Sequence, residues 1–153
     1  MTFPMQKAVN AQMLRASTRK FFGLHWSKES PAVVPKWVRL DQANVLDSIR
    51  EGGCYAILDG SGNVCYVGLG IAKAAKEGGA GGVLGRLYRH VLVRGALGQG
   101  DLEPKRKIWS GMSGILYIPF GDQEYLAAAL ESYLIRTFGE ALPHNKSRVR
   151  RSS

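Results

Sequence analysis

A chain of 153 residues has room for one hydrophobic core and not for two full domains. Its 45% hydrophobic and 22% charged residues are the balance of a folded globular protein, which excludes disorder along most of its length. A formal net charge of +9 points to a polyanionic partner, nucleic acid more often than an anionic membrane, although a merely soluble basic protein carries such an excess too.

No run approaches the roughly 20 apolar residues that cross a bilayer, and residues 1–12 lack the apolar centre of a secretory signal. The expected location is the cytoplasm, with no membrane partner. Residues 1–50 read as a basic N-terminal extension, in which Lys7, Arg15, Arg19, Lys20, Lys28, Lys36 and Arg39 are interleaved with Phe21, Phe22, His25, Trp26 and Trp37. Two readings of that mixture stand open: phosphate contact with base stacking, or aromatic anchoring of the extension onto the core. Pro31 and Pro35 bracket a connector, and Val45 to Arg50 reads as the last turns of a helix before Gly52 and Gly53.

The core is expected over residues 51–145. Residues 54–58 form a β-prone run, residues 59–63 carry strong turn chemistry, and residues 64–67 form a second β-prone run, which together predict a hairpin. A glycine-rich loop with a short helical turn is expected from Gly68 to Gly82. Val83, Leu84, Leu87, Val91 and Leu92 have helical spacing, with Gly95 placed to stop that helix and Arg94 near its negative end. Residues 98–113, which include Lys105, Arg106 and Lys107, read as an exposed basic loop. Ile115 to Ile118 reads as a third strand ended by Pro119, and Gln123 to Phe138 as a second core helix ended by Gly139. A basic tail, residues 146–153, closes the chain, either framing DNA or as a solvated end. Cys54 and Cys65 have no ligand spacing and are expected to be packing thiols, while His25, His90 and His144 lie too far apart to suggest structural zinc.

Tyr55 and Tyr66 face one side of the sheet if the hairpin pairs residues whose numbers sum to an odd value, and opposite sides after an odd-numbered loop without a bulge. A shared face suits either an aromatic cross-strand pair or two functional phenols. Arg86 and His90, four residues apart on a helix, share one side of it. Glu131 crosses the apolar stripe of Ala127, Leu130, Leu134, Ile135 and Phe138, where a carboxylate is costly unless it is paired, metal-bound or at the stripe's margin. Asn145 reads as a turn residue or as an amide that holds a neighbouring group.

Gly53-Cys54-Tyr55, ten intervening residues, Tyr66-Val67-Gly68, then a helical arginine and histidine, a helical glutamate and a late asparagine resemble the GIY-YIG nuclease family over residues 53–145. The two tripeptides keep the tyrosines with different apolar neighbours, and the glycine-rich loop before Arg86 is longer than in compact members. The resemblance implies an α/β fold of the α+β kind, with a three-stranded antiparallel sheet flanked by helices. It also implies a metal-dependent DNA endonuclease with Tyr55, Tyr66, Arg86, His90, Glu131 and Asn145 in its site. Glu131 would hold Mg²⁺ or Mn²⁺, Arg86 the scissile phosphate, Tyr55 would take the proton from water, Tyr66 would orient the water or the phosphate, and Asn145 would fix the metal side. Lys73, Lys76, Arg89, Lys105, Arg106, Lys107, Lys146 and Arg148 are the expected DNA contacts. A restriction-type enzyme leads, with homing, phage or repair-type nucleases and a catalytically inactive DNA-binding module as alternatives, and with monomer or homodimer open.

Overall fold

A computed structural model describes residues 8–29, 33–40, 51–71, 82–93 and 102–145. The hairpin lies where its turn chemistry places it, with β2 at Gly53–Leu58 and β3 at Val64–Gly70, after a short β1 at Val38–Arg39. The Asp59 carboxylate accepts from the backbone N–H groups of Ser61 and Asn63, and Gly62 takes a φ of 82°. A side chain that binds its own turn, followed by a residue with positive φ, closes the five-residue loop.

That loop is odd, yet Tyr55 pairs with Gly68 and Ile57 with Tyr66. The register shifts between Ile57 and Leu58, so that Leu58 pairs with Val64 and Cys65 is the extra residue of a bulge. The bulge restores the odd sum, and Tyr55 and Tyr66 therefore share a face. β4, Gly114–Pro119, pairs antiparallel with the other side of β2, and β1 pairs antiparallel with β4. The sheet is thus four-stranded in the order β1-β4-β2-β3, and the expected count of three is corrected by a strand from the N-terminal extension.

Helix α1, Ala11–His25, starts at Asn10, whose side chain accepts from Met13 N at 2.8 Å. Its buried residues Leu14, Thr18, Phe21 and Phe22 make one helical stripe. Trp37 Nε1 donates to Thr18 Oγ1 at 2.8 Å, and Val64 N donates to the Val9 carbonyl at 2.6 Å. Phe21, Phe22 and Trp37 are therefore core anchors, while His25 is exposed.

Helix α2, Gly82–His90, packs on β2 and β3 from one side, and α3, Tyr125–Phe138, packs on the same strands. Gly139, at a φ of 53°, ends α3. Two core clusters result. Cys54, Ala56, Leu58 and Val67 join Leu14, Phe21, Leu130 and Leu134 of α1 and α3, whereas Tyr55, Ile57 and Cys65 join Val83, Leu84 and Leu87 of α2 with Trp109. The assignment of successive strand residues to opposite layers follows from the two-residue strand period. No helix among the described residues is long and apolar enough to cross a membrane. The expected helix end at 45–50, the helical turn near 71–76, the stop at Gly95 and the basic tail all lie outside the described residues or extend beyond them.

Candidate active site

Tyr55, Tyr66 and Arg86 meet on the α2 side of the hairpin. The tyrosine rings lie 5.9 Å apart, and the buried Tyr55 hydroxyl is hydrogen-bonded to Tyr66 and Arg86. Burial drives the Tyr55 pKa far above the phenol range and Tyr66 adds to that, while the Arg86 charge pulls the other way. Burial is the largest effect, so Tyr55 stays a neutral phenol, which disfavours the proton-accepting role first expected of it. Tyr66 is the half-buried member of the pair.

Gly68 has a steric task. A Cβ there would fall within the end of the Tyr55 ring, at 2.5 Å from its hydroxyl oxygen, so the ring crosses β3 directly over bare backbone. Gly70 does the same for α2: a Cβ would lie 2.5 Å from the Gly82 carbonyl and 2.6 Å from Val83 Cα. Strand and helix approach closely, which helps to set the position from which Arg86 projects.

Trp109, which the sequence reading passed over, completes the cluster. It stacks edge-on against Tyr66 at 5.3 Å and against His144 at 5.2 Å, and its Nε1 donates to the His90 carbonyl at 3.0 Å. Its only signal in the sequence is a large aromatic just beyond the Lys105-Arg106-Lys107 run. That run is exposed, but its backbone is folded back on α2: Lys105 N donates to the Val91 carbonyl at 2.7 Å, and Lys105 Nζ to the Tyr88 carbonyl at 3.0 Å. A cation at the carbonyl end of a helix is favourably placed.

His90 stands at the same end of α2. Its Nε2 is buried without a hydrogen-bond partner among the described residues. Its pKa falls below the ordinary 6.5 through desolvation first, then through the charges of Arg86, Arg89, Arg106 and Lys105. These four cations surround one neutral imidazole, so an anion is the missing partner that electrostatics favours. Arg89, Lys105 and Arg106 thus belong to one positive patch with Arg86, whereas Lys73, Lys76, Lys146 and Arg148 lie outside the described residues.

Glu131 lies on the opposite face of the sheet from Tyr55, Tyr66 and Arg86, beside Cys54 of β2, whereas Asn145 lies against β3. Glu131, only 6% exposed, projects from the buried stripe of α3, and the Cys54 thiol pKa is raised by that thiol's own burial first and by the Glu131 charge second. Asn145 is fully buried. Its Oδ1 accepts from Val67 N at 2.8 Å and its Nδ2 donates to the Val67 carbonyl at 3.0 Å. The amide is thus committed to the residue between Tyr66 and Gly68 and acts by holding that segment. Cys54 donates to the Ala127 carbonyl, and burial pushes the Cys65 thiol up to about 11, so both cysteines are protonated packing groups.

Among the described residues no three of His, Cys, Asp and Glu gather as a metal-binding group. Glu131 alone could give a hard cation one carboxylate oxygen. Compared with known proteins, the chain matches no family model, no curated protein and no solved structure.

Proposed function

We propose that the chain is a GIY-YIG-type endonuclease that hydrolyses phosphodiester bonds in DNA with the help of a divalent metal. The observation that carries this reading is the Tyr55–Tyr66–Arg86 cluster, with Tyr55 laid over Gly68, which gives both signature tripeptides a part in one site. A phosphodiester resists attack because its charge repels the nucleophile and its alkoxide leaves poorly. Arg86 has donors beyond the one engaged with Tyr55, and a guanidinium fork suits a phosphate that gains charge in the transition state.

Tyr66, the phenol nearer to solvent, accepts the O–H hydrogen bond of the attacking water, whose oxygen bonds to phosphorus and releases its proton to solvent while the P–O bond to the leaving alkoxide breaks and that alkoxide takes a proton from solvent. Tyr55 holds Tyr66 and Arg86 in register, and Asn145 holds the strand that carries Tyr66. Glu131 would hold Mg²⁺ or Mn²⁺, which when bound supplies positive charge at the phosphate and leaving oxygens. Tyr55, Tyr66 and Arg86 lie on the α2 side of the sheet and Glu131 on the α3 side beside Cys54, so in this reading metal and DNA must reach both around the β3 edge, where Asn145 holds Val67. Arg89, Lys105, Arg106 and Lys107 extend the contact along the DNA backbone.

Supercoiled plasmid incubated with Mg²⁺, and in parallel with a chelator, tests the reading. The expected result is metal-dependent nicking or linearisation that Glu131→Gln lowers by at least about a hundredfold, with DNA binding and melting temperature retained. Binding without cleavage by the unsubstituted protein would instead favour a DNA-binding module. Undiminished cleavage by Glu131→Gln would remove that carboxylate from the site.

A further inference from the structure

On the layer opposite the Tyr66–Arg86 cluster, α1 and residues 34–37 enclose a groove of about 680 Å³. Its apolar lining is Phe22, Val34, Pro35 and Trp37, its charged lining is Arg15, Arg19 and Lys36, and among the described residues no acidic side chain lines it. Arg15 donates to the Trp37 carbonyl at 3.2 Å, which fixes it as part of the wall. Arg19 and Lys36 are exposed and make no hydrogen bond or ion pair among the described residues, so both are free to meet an anion.

We propose that this groove binds an unpaired nucleotide in a single-stranded DNA flank, with its base against the apolar lining and its phosphates against Arg19 and Lys36. The inference rests on the nuclease reading above and adds a substrate feature to it. A concave apolar site of this volume suits a flat ring system. A base inside a duplex is stacked and cannot enter it, so duplex DNA has nothing to seat in the groove. A single strand uses both the apolar lining and the cations, since ring contacts and a positive track are how such strands are held. A second copy of this chain fits poorly, because a symmetric contact would set these cations against themselves.

Three strand spacings of about 4.8 Å separate β3 from β1, which follows directly on Lys36 and Trp37. The groove therefore meets DNA some nucleotides away from the scissile phosphate, around the β1 side of the sheet.

Fluorescence anisotropy with the full chain in a chelator, on a blunt duplex and on the same duplex with a short single-stranded overhang, tests the proposal. The overhang is expected to tighten binding about tenfold. Arg19→Ala with Lys36→Ala should abolish that gain, keep blunt-duplex affinity, and lower the overhang's salt slope by about 0.7 for each lost phosphate contact. Val34→Asp, at another exposed position, provides a second variant and should also erase the gain. An overhang that adds nothing, or a gain that survives both variants, overturns the proposal. So does binding to phosphatidylserine vesicles that the double variant loses while the overhang has no effect, since a membrane surface then occupies the groove. Plasmid nicking by the same preparations is scored separately: no nicking with an intact overhang gain refutes the nuclease reading alone, and nicking without the gain refutes the groove alone.

Discussion

Beneath α1 and α3, β2 presents Cys54, Ala56 and Leu58 to a hydrocarbon packing that includes Leu14, Phe21, Leu130 and Leu134. Beneath α2 the same strand presents Tyr55, whose hydroxyl is hydrogen-bonded to Tyr66 and Arg86 beside a patch of cations. The difference shows how six residues serve two purposes. One layer is mostly hydrocarbon and supplies the stability, with Glu131 of α3 and the α1 groove as its polar exceptions. The other keeps polar groups at a margin that opens to solvent, where they are held by close backbone approach at Gly68 and Gly70.

Substitutions on the two layers should separate these purposes. Arg86→Ala is expected to lower single-turnover cleavage by about a hundred- to a thousandfold, with little change in melting temperature. Arg86→Lys should recover little, because an ammonium lacks the fork. A stability loss equal to the rate loss would show that Arg86 is mainly a packing group. On the hydrocarbon layer, Leu130→Ala empties a fully buried site, and should cost about 2–5 kcal/mol in denaturant unfolding. Its cleavage rate per folded molecule should hold, and a selective rate loss would couple the two layers.

Tyr66→Phe keeps the ring stacked on Trp109 and removes only the hydroxyl. Cleavage should fall about a hundredfold, while Tyr55→Phe, which loses a positioning contact, should fall less. The reverse order, measured in parallel, would return the water-facing role to Tyr55.

His90 gives the smallest effect. Above pH 6.5 it is neutral in both folded and unfolded chains and contributes nothing to the pH dependence. As pH falls below 6.5, the unfolded chain takes up the proton first, because the folded value is lower. Stability is then lost until pH passes the lowered folded value. Melting temperatures of the wild type should therefore drop more steeply below pH 6.5 than those of His90→Asn. Parallel curves would mean that the imidazole is not held neutral by its surroundings.

Much of the core was legible from local chemistry. Asp59, Gly62 and Asn63 mark the hairpin turn, the stripe on α3 is written in its apolar spacing, and Gly139 marks its end. The shared face of Tyr55 and Tyr66 was legible only conditionally, because one bulged residue, Cys65, decides it. β1 has two residues and both are exposed, so it carries no alternation to read. α1 was obscured by its charges: the N-cap Asn10 and the spacing of Leu14, Thr18, Phe21 and Phe22 are there, but the lysines and arginines between them invite a reading as a nucleic-acid arm. Trp109 reaches Tyr66 only through tertiary folding, and no spacing announces such a contact.

Val9 and Asn145 bear on how the molecule behaves beside its own copies. β3 is the outermost strand, and a bare edge would offer a row of donors and acceptors to any foreign strand. Val9 already occupies Val64 N, and Asn145 occupies both the N–H and the carbonyl of Val67. An incoming strand therefore finds no continuous register there, while β1 at the far side is only two residues long. Losing either cover would expose a template for strand addition, so trimming the chain at Val9 or at Asn145 trades a covered sheet edge for an aggregation nucleus.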